Sequence, residues 1–220
     1  MKVQAVDISK TASASEIVFE ALRKAIIDGQ LEDGEPLRQD EIAKLFNTSR
    51  IPVREAITRL EQEGLVKTQR YKGATVAGIS PDEAGEIFEF RALVEARVMK
   101  VAVENMMPQT LVLARRHCEA FYKSNDPIKW GLLNREFHAT LYGDSGLDYH
   151  LAIINSAFDR VDRYLRAQLA LTDGMQRANA EHLSILEACE AGCADQAADL
   201  TRRHILGAKD TLLDFLKDRS

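Results

Sequence analysis

At residues 49–56 the chain reads SRIPVREA, a combination of a helix cap, an early proline and two arginines. Proline has no N–H and is tolerated in the first turn of a helix, so Pro52 predicts that a helix begins close to Ser49, its natural N-cap. Arg50 and Arg54 are four positions apart and therefore project from one face. The opposite face is apolar and carries Val53, Ala56, Ile57 and Leu60.

The segments before this helix predict two more helices. Residues 13–28 carry an apolar stripe, and Ser13 and Glu16 are spaced as a capping box at its start. Breakers at 29–36 end this helix. A short helix is then predicted near 40–46, followed by a turn at Asn47 and Thr48 that leads into the helix at 49–56.

The segments after it predict a hairpin. Gly64 ends the helix, and residues 65–69 and 74–78 are typical of two short strands joined by the basic tip at 70–73. Helix, helix, turn, helix and hairpin is the order of a winged helix-turn-helix, in which the hairpin is the wing.

The charge distribution favours nucleic-acid contact in this part of the chain only. The whole chain has a net charge of -5, and residues 1–78 hold twelve basic and twelve acidic side chains. Between residues 44 and 72, however, seven basic side chains face three acidic ones, which leaves a local excess of positive charge suited to phosphates. The seven are Lys44, Arg50, Arg54, Arg59, Lys67, Arg70 and Lys72.

The sequence changes character beyond residue 80. It becomes a series of amphipathic helical segments of roughly 12 to 24 residues, about six in number, which predicts an antiparallel helical bundle without strands. The expected fold is therefore mostly α, with a winged helix-turn-helix at 1–79, ordered over about 13–78, and an all-α bundle at 80–220. The breaks between segments are Pro108, Pro127, residues 143–146, Gly174 and Gly192.

The composition indicates the cellular compartment of the protein. No run of 18 apolar residues and no signal-peptide pattern is present, so we expect a cytoplasmic protein without a membrane partner. The three cysteines, Cys118, Cys189 and Cys193, are an odd number, which argues against a disulfide framework. We expect them to pack as reduced thiols.

Arg50 and Arg54 are predicted to read DNA. Arginine suits the two acceptors of guanine in the major groove, and a helix N-terminus favours a nearby phosphate. Two arginines alone are more often a solvated face. The preceding short helix, the tight turn and the basic wing favour the recognition-helix interpretation here.

The stretch LFNTSRIPVREAI at 45–57, followed by Leu60, residues 63–66 and Gly73, resembles the signature of the GntR family of transcription regulators. The resemblance implies that the two arginines touch operator DNA with help from the preceding helix and the wing. The DNA-binding set that follows is Arg38, Gln39, Ser49, Arg50, Arg54, Lys72 and Gly73.

Three histidines of the second half lie on apolar stripes. His138 follows Asn134 by four residues on one face, while His182 and His204 flank the turn at residues 192–193 at matching distances. An antiparallel hairpin brings the last two to the same level. Facing imidazoles suit Zn²⁺ or another divalent transition metal such as Ni²⁺. The alternative is that all three are core histidines with ordinary partners.

The second half also resembles the FCD ligand-binding domain, through residues 90–95, 134–138, 181–182 and His204. In many members an aspartate and three histidines bind a metal beside a small organic acid. That pattern maps onto Asn134, His138, His182 and His204, with an amide in place of the carboxylate. Such an acid needs a cationic partner, and Arg91 is the first candidate. The alternative role of Arg91 is a salt bridge to Glu95 on the same helix. The further candidates are Arg135, Arg163 and Arg166.

The combined prediction is a homodimeric repressor that binds double-stranded operator DNA and is controlled by a small carboxylate or sugar-acid effector near the metal. Two alternatives stay open from sequence. The same regulator could have a metal-free effector pocket, for example for an acyl thioester, or the chain could be a metal-dependent hydrolase with Glu136 or Glu181 as base.

Overall fold

A computed structural model describes residues 13–70, 73–124, 126–171 and 174–217 of the chain. The chain divides into two compact units between Gly78 and Ile79, one residue before the boundary expected from sequence. Within the described residues, no helix is both long enough and apolar enough to cross a membrane.

The first unit is a helical cluster with a small antiparallel sheet, as a winged helix-turn-helix requires. Its elements are α1 (Ala14–Ile27), β1 (Pro36–Leu37), α2 (Gln39–Leu45), α3 (Arg50–Gln62), β2 (Val66–Gln69) and β3 (Gly73–Val76). Strands β2 and β3 form the predicted hairpin. Strand β1 was not predicted and pairs with β3, so that the sheet order is β1-β3-β2 and Leu37 lies opposite Ala74.

Helix α1 begins as the sequence predicts. The Ser13 hydroxyl accepts a hydrogen bond from the Glu16 N–H at 3.1 Å, which satisfies one of the open donors of the first turn. Helix α3 begins at Arg50, which leaves Pro52 in its first turn. Both helices pack on one core through side chains such as Val18, Phe19, Ile26, Val53, Ile57 and Leu60.

The turn between α2 and α3 depends on Asn47, whose φ is +48°. Asparagine tolerates this left-handed conformation better than most residues. Its position fixes the direction in which α3 leaves the turn, and with it the direction of the two arginines.

The second unit is all-α over its described residues, and its six helices begin and end near the predicted breaks. The helices are α4 (Pro81–Glu104), α5 (Pro108–Lys123), α6 (Pro127–Gly143), α7 (Asp148–Leu171), α8 (Gly174–Glu190) and α9 (Ala194–Lys217). Helix α4 runs beside α9, and the helix pairs α5–α6, α6–α7 and α8–α9 are also neighbours. Consecutive neighbours of this kind are expected of an antiparallel bundle.

Candidate functional site

The first unit has a broad open groove on its surface. Four of the predicted DNA-binding residues line it: Arg38, Gln39, Arg50 and Gly73. The groove therefore joins the starts of α2 and α3 to the wing, as an interface with a duplex requires. Lys72 was also predicted to bind DNA, and it lies outside the described residues.

The two arginines of this groove pair with acidic neighbours on α2. Arg50 Nε lies 3.2 Å from Asp40 Oδ1, and Arg38 Nη1 donates to Glu41 Oε1 at 3.0 Å. All four side chains are about two-thirds exposed. Exposed pairs of this kind are screened by solvent and contribute little to stability. A phosphate or a base edge can replace the acidic partner.

Arg54 and Ser49 occupy the other predicted positions on α3. Arg54 is exposed one turn beyond Arg50, opposite the buried Val53 and Ala56. Ser49 has the backbone conformation of an N-cap but forms no side-chain cap hydrogen bond, which differs from the prediction. Its exposed hydroxyl is left for another partner.

Arg59 does not belong to the basic surface. Its guanidinium donates to Glu16 Oε2 at 2.6 Å and lies 3.8 Å from the centre of the Phe19 ring. The hydrogen bond from Arg59 lowers the pKa of Glu16. Because Arg59 ties α3 to α1, its inclusion among the phosphate-binding cations was wrong.

The second unit brings the three predicted histidines together. His138 on α6, His182 on α8 and His204 on α9 have ring centres 4.8 to 5.2 Å apart. One nitrogen from each ring can be chosen so that all three lie within 4.8 Å of one another. The α8–α9 hairpin does place His182 and His204 at one level, as their spacing from the turn predicted.

His182 is the most unusual of the three. It is fully buried, and neither ring nitrogen has a hydrogen-bond partner among the described residues. The rings of Phe121 and Phe137 pack against it. A core histidine ordinarily has at least one hydrogen-bond partner, and His182 differs from that pattern.

Burial favours the neutral form of the His138 and His182 imidazoles. It lowers the pKa of His182 well below its usual range, and the neighbouring His204 lowers it further. The pKa of His138 is also well below its usual range because of burial, His182, His204 and Arg91. Neutral imidazoles are the form that binds metals.

Outer partners set the tautomers of two rings. His204 Nδ1 lies 2.7 Å from Glu181 Oε2, so this nitrogen carries the proton and donates. The Tyr142 hydroxyl donates to Glu95 Oε2 at 2.8 Å and lies 3.3 Å from His138 Nδ1, from which it accepts. Both rings therefore keep Nε2 as a lone-pair donor, as metal-binding histidines with outer-shell partners do.

A small cavity of about 40 Å³, partly open to solvent, adjoins the cluster. Asn134, His138 and His204 line it, and so does Arg91, the predicted effector-binding residue. The cavity therefore brings three of the four predicted metal ligands beside the predicted effector contact, while His182 is not part of its lining.

Arg91 also forms the ion pair that the sequence offered as its alternative. Its Nε lies 2.7 Å from Glu95 Oε1, and the two side chains are only 4% and 1% exposed. The guanidinium lies 4.6 Å from the Phe158 ring centre. Glu95 thus holds Arg91 in a fixed orientation at the cavity wall.

The further arginine candidates have partners of their own. Arg135 donates to Asp159, Arg163 donates to the Tyr164 hydroxyl, and Arg166 pairs with Asp162. Sequence reasoning missed Arg177, which lines the cavity and whose Nε lies 3.6 Å from Glu181 Oε1. Its four-residue spacing from Glu181 on α8 was the available signal.

The cysteines are not part of the cluster. Cys189 is buried, its Sγ lies 3.7 Å from Met99 Sδ, and burial raises its pKa to about 12. Such a thiol packs as an apolar side chain. This agrees with their omission from the predicted ligands.

Comparison with known families supports both halves of the prediction. Residues 14–76 match the family described as bacterial regulatory proteins, gntR family, and residues 86–207 match the FCD domain. The chain is a GntR-family regulator with an FCD domain. The predicted winged helix-turn-helix and helical bundle are confirmed.

Relatives of this GntR-family regulator are themselves regulators. The HTH-type transcriptional repressor GlaR of Escherichia coli K12 is 29% identical over 84% of this chain and 89% of its own length. The gluconate operon transcriptional repressor of Bacillus subtilis is 34% identical over 61% of this chain and 56% of its own length. The prediction of a DNA-binding transcription regulator rather than an enzyme is confirmed.

A solved structure shares the fold. Escherichia coli McbR/YncC matches with a TM-score of 0.74 at 21% identity, over 94% of this chain and 98% of its own.

Proposed function

We propose that this GntR-family regulator is a homodimeric repressor whose hold on its operator is controlled by a small carboxylate or sugar acid bound beside a divalent transition metal. The observation that carries the proposal is His182, a buried imidazole with both nitrogens unpartnered among the described residues and two further histidines around it. An unpaired buried polar group is costly unless a ligand completes it.

The donor set fits a transition metal, with Zn²⁺ as the first candidate. His138, His182 and His204 would hold it, and Asn134 on the same cavity wall would add an amide oxygen. Three neutral imidazoles and an amide leave the charge of a divalent ion uncompensated. The bound ion would supply a positive charge at the cavity, which favours an anionic effector.

Arg91 supplies the second cationic group of the cavity. Its Nε donates to Glu95 and the residue lines the cavity, so that a carboxylate there could accept from its remaining N–H groups. The name of the Bacillus subtilis relative refers to a gluconate operon, and gluconate is a sugar acid. This name supports a hydroxylated acid as effector for the present chain.

DNA recognition is assigned to the first unit. In this proposal Arg50 and Arg54 on α3 read base edges, while Arg38, Gln39, Ser49 and the wing at Gly73 contact the backbone. One short recognition helix rarely supplies enough specificity alone, which favours two copies on a two-fold related operator.

The experiment combines a thermal-shift screen of small acids with a binding assay on promoter fragments near its own gene. An effector should raise the melting temperature of the full chain more with Zn²⁺ present than after chelation, because it binds only the native state. It should also change the operator affinity, and Zn²⁺ and effector should strengthen each other's binding equally. Equal stabilisation by the acid with and without metal would remove the metal from the proposal.

A further inference from the structure

Asp162 on α7 is a buried carboxyl group with one oxygen unused. The residue is 6% exposed and lines the same cavity as Arg91 and His138. Its Oδ2 lies 3.4 Å from Arg166 Nη2, whereas its Oδ1 is buried without a hydrogen-bond partner among the described residues. An unpaired carboxylate oxygen in a protein interior is rare and calls for an explanation.

Burial raises the pKa of Asp162 and Asp159 acts in the same direction, while Arg166 and Arg135 lower it. Guanidinium groups thus lie near this carboxyl group, but Oδ1 has no hydrogen-bond donor among the described residues. A neutral hydroxyl supplies such a donor, whereas an ammonium group would meet the positive potential of two guanidinium groups.

Gly131 on α6 lies close against the Arg166–Asp162 pair. A Cβ at this position would lie 2.5 Å from Arg166 Cδ, closer than real side chains approach, and 3.0 Å from Asp162 Oδ1, which is a tight contact. Gly131 also lines the cavity. The absence of a side chain thus allows the Arg166–Asp162 pair to form the cavity wall.

We propose that Asp162 determines effector specificity by accepting a hydrogen bond from a hydroxyl group of the effector through Oδ1, and that the effector is consequently a hydroxy acid. This inference rests on the proposed function, since the carboxylate end of the same molecule is held at Arg91 and the histidine cluster. A site built to bond a hydroxyl rejects the analogue that lacks it, because its polar atom is then left unpaired.

The test is calorimetric titration of the Zn²⁺-loaded full chain with matched acids. The pairs are L-malate and succinate, L-lactate and propionate, and D-gluconate and hexanoate, with L-aspartate and L-alanine as ammonium probes. In each pair that binds, the hydroxy acid should bind about tenfold or more tightly to the wild type. The Asp162→Ala variant should bring that ratio close to one.

Two further variants separate recognition from folding. Asp162→Asn keeps the size of the side chain and one acceptor oxygen, so part of the preference should remain. Asp199→Ala removes a carboxylate that lies on α9, outside the cavity lining, and should keep the whole preference. The melting temperature and DNA affinity of each variant report whether it is folded.

The outcomes distinguish this inference from the function on which it rests. Equal binding of both members of every pair, a preference for the ammonium probes, or a hydroxy-acid preference that survives in Asp162→Ala would each overturn the role of Asp162 and leave a carboxylate effector standing. If no acid binds the folded, Zn²⁺-loaded chain, the proposed function fails as well.

Discussion

The arginines of the two units have the same side chain in opposite surroundings. Arg50 and its partner Asp40 are 66% and 67% exposed, whereas Arg91 and Glu95 are 4% and 1% exposed. Water screens the first pair, so Arg50 can exchange its partner for DNA. The second pair is fixed by packing and by the hydrogen bond from Tyr142 to Glu95. Under the proposed function, DNA recognition would use replaceable ion-pair partners, and ligand sensing would use permanent ones.

The largest effect is expected from the buried cluster. Replacing His182 with leucine removes an imidazole of the proposed metal site, and metal affinity should fall by more than about 100-fold, beyond the loss typical of outer partners. Competition with a chelating dye measures it. His150→Ala is the matched control, because His150 lies outside the cluster and should leave the affinity unchanged.

The same variant should not lose stability without metal. Both His182 nitrogens lack partners among the described residues, so the leucine side chain breaks no hydrogen bond there and relieves an unpaired polar group worth about 1–3 kcal/mol. Urea unfolding in chelator measures the free energy. A large loss of stability would mean that His182 is a structural residue and would contradict its assignment as a metal ligand.

The Glu181→Gln variant tests whether the hydrogen bond from His204 to Glu181 supports metal binding. Glu181→Gln keeps the shape but removes the charge that holds the Nδ1 proton of His204, so metal affinity should fall about tenfold to hundredfold. Glu187→Gln, an exposed position on the same helix, serves as the control. Unchanged affinity in Glu181→Gln would show that the ion pair is incidental.

Arg54 tests the exposed surface. If it reads a base, Arg54→Ala should weaken operator binding by about 1–3 kcal/mol and leave binding to unrelated DNA much less affected. Fluorescence anisotropy at several salt concentrations separates the two. An equal loss on both kinds of DNA would assign Arg54 to the phosphate backbone instead.

Acid should destabilise the metal-free protein through the buried cluster. The pKa values of His138 and His182 lie well below 6.5 in the folded state, so below about pH 6.5 the unfolded chain takes up protons that the folded chain does not. The free energy of unfolding should then fall by about 1.4 kcal/mol per pH unit for each histidine. Denaturant unfolding between pH 7.5 and 5.5 measures it, and His182→Leu should show a smaller slope.

The smallest effect on stability is expected at Asp40. Asp40→Asn removes the partner of an exposed arginine and should change the free energy of unfolding by less than about 0.5 kcal/mol. DNA affinity should increase at low salt, because an acidic side chain leaves the groove. Reduced DNA affinity would mean that Asp40 holds Arg50 in its binding orientation.

The sequence predicted those features that depend on local periodicity and on helix-starting residues. The start of α3 followed from Pro52, and the three histidines followed from their stripes and from the α8–α9 turn. Strand β1 could not be predicted, because its two residues, Pro36 and Leu37, show no alternation and proline there indicates a break.

Long-range partners were also beyond the sequence. Arg59 pairs with a residue 43 positions away, and Tyr142 bonds to Glu95 47 positions away. Such contacts depend on how helices pack, which no local pattern encodes. The burial of an ion pair was likewise not predictable, since Arg91 and Glu95 have the four-residue spacing of an ordinary surface ion pair.

The metal content of the purified full chain tests the central claim most directly. The account predicts about one divalent transition metal per chain by elemental analysis, and none above background in a variant with His138, His182 and His204 all replaced by alanine. A folded wild-type chain that stays metal-free after incubation with Zn²⁺, Ni²⁺ and Co²⁺ would contradict it.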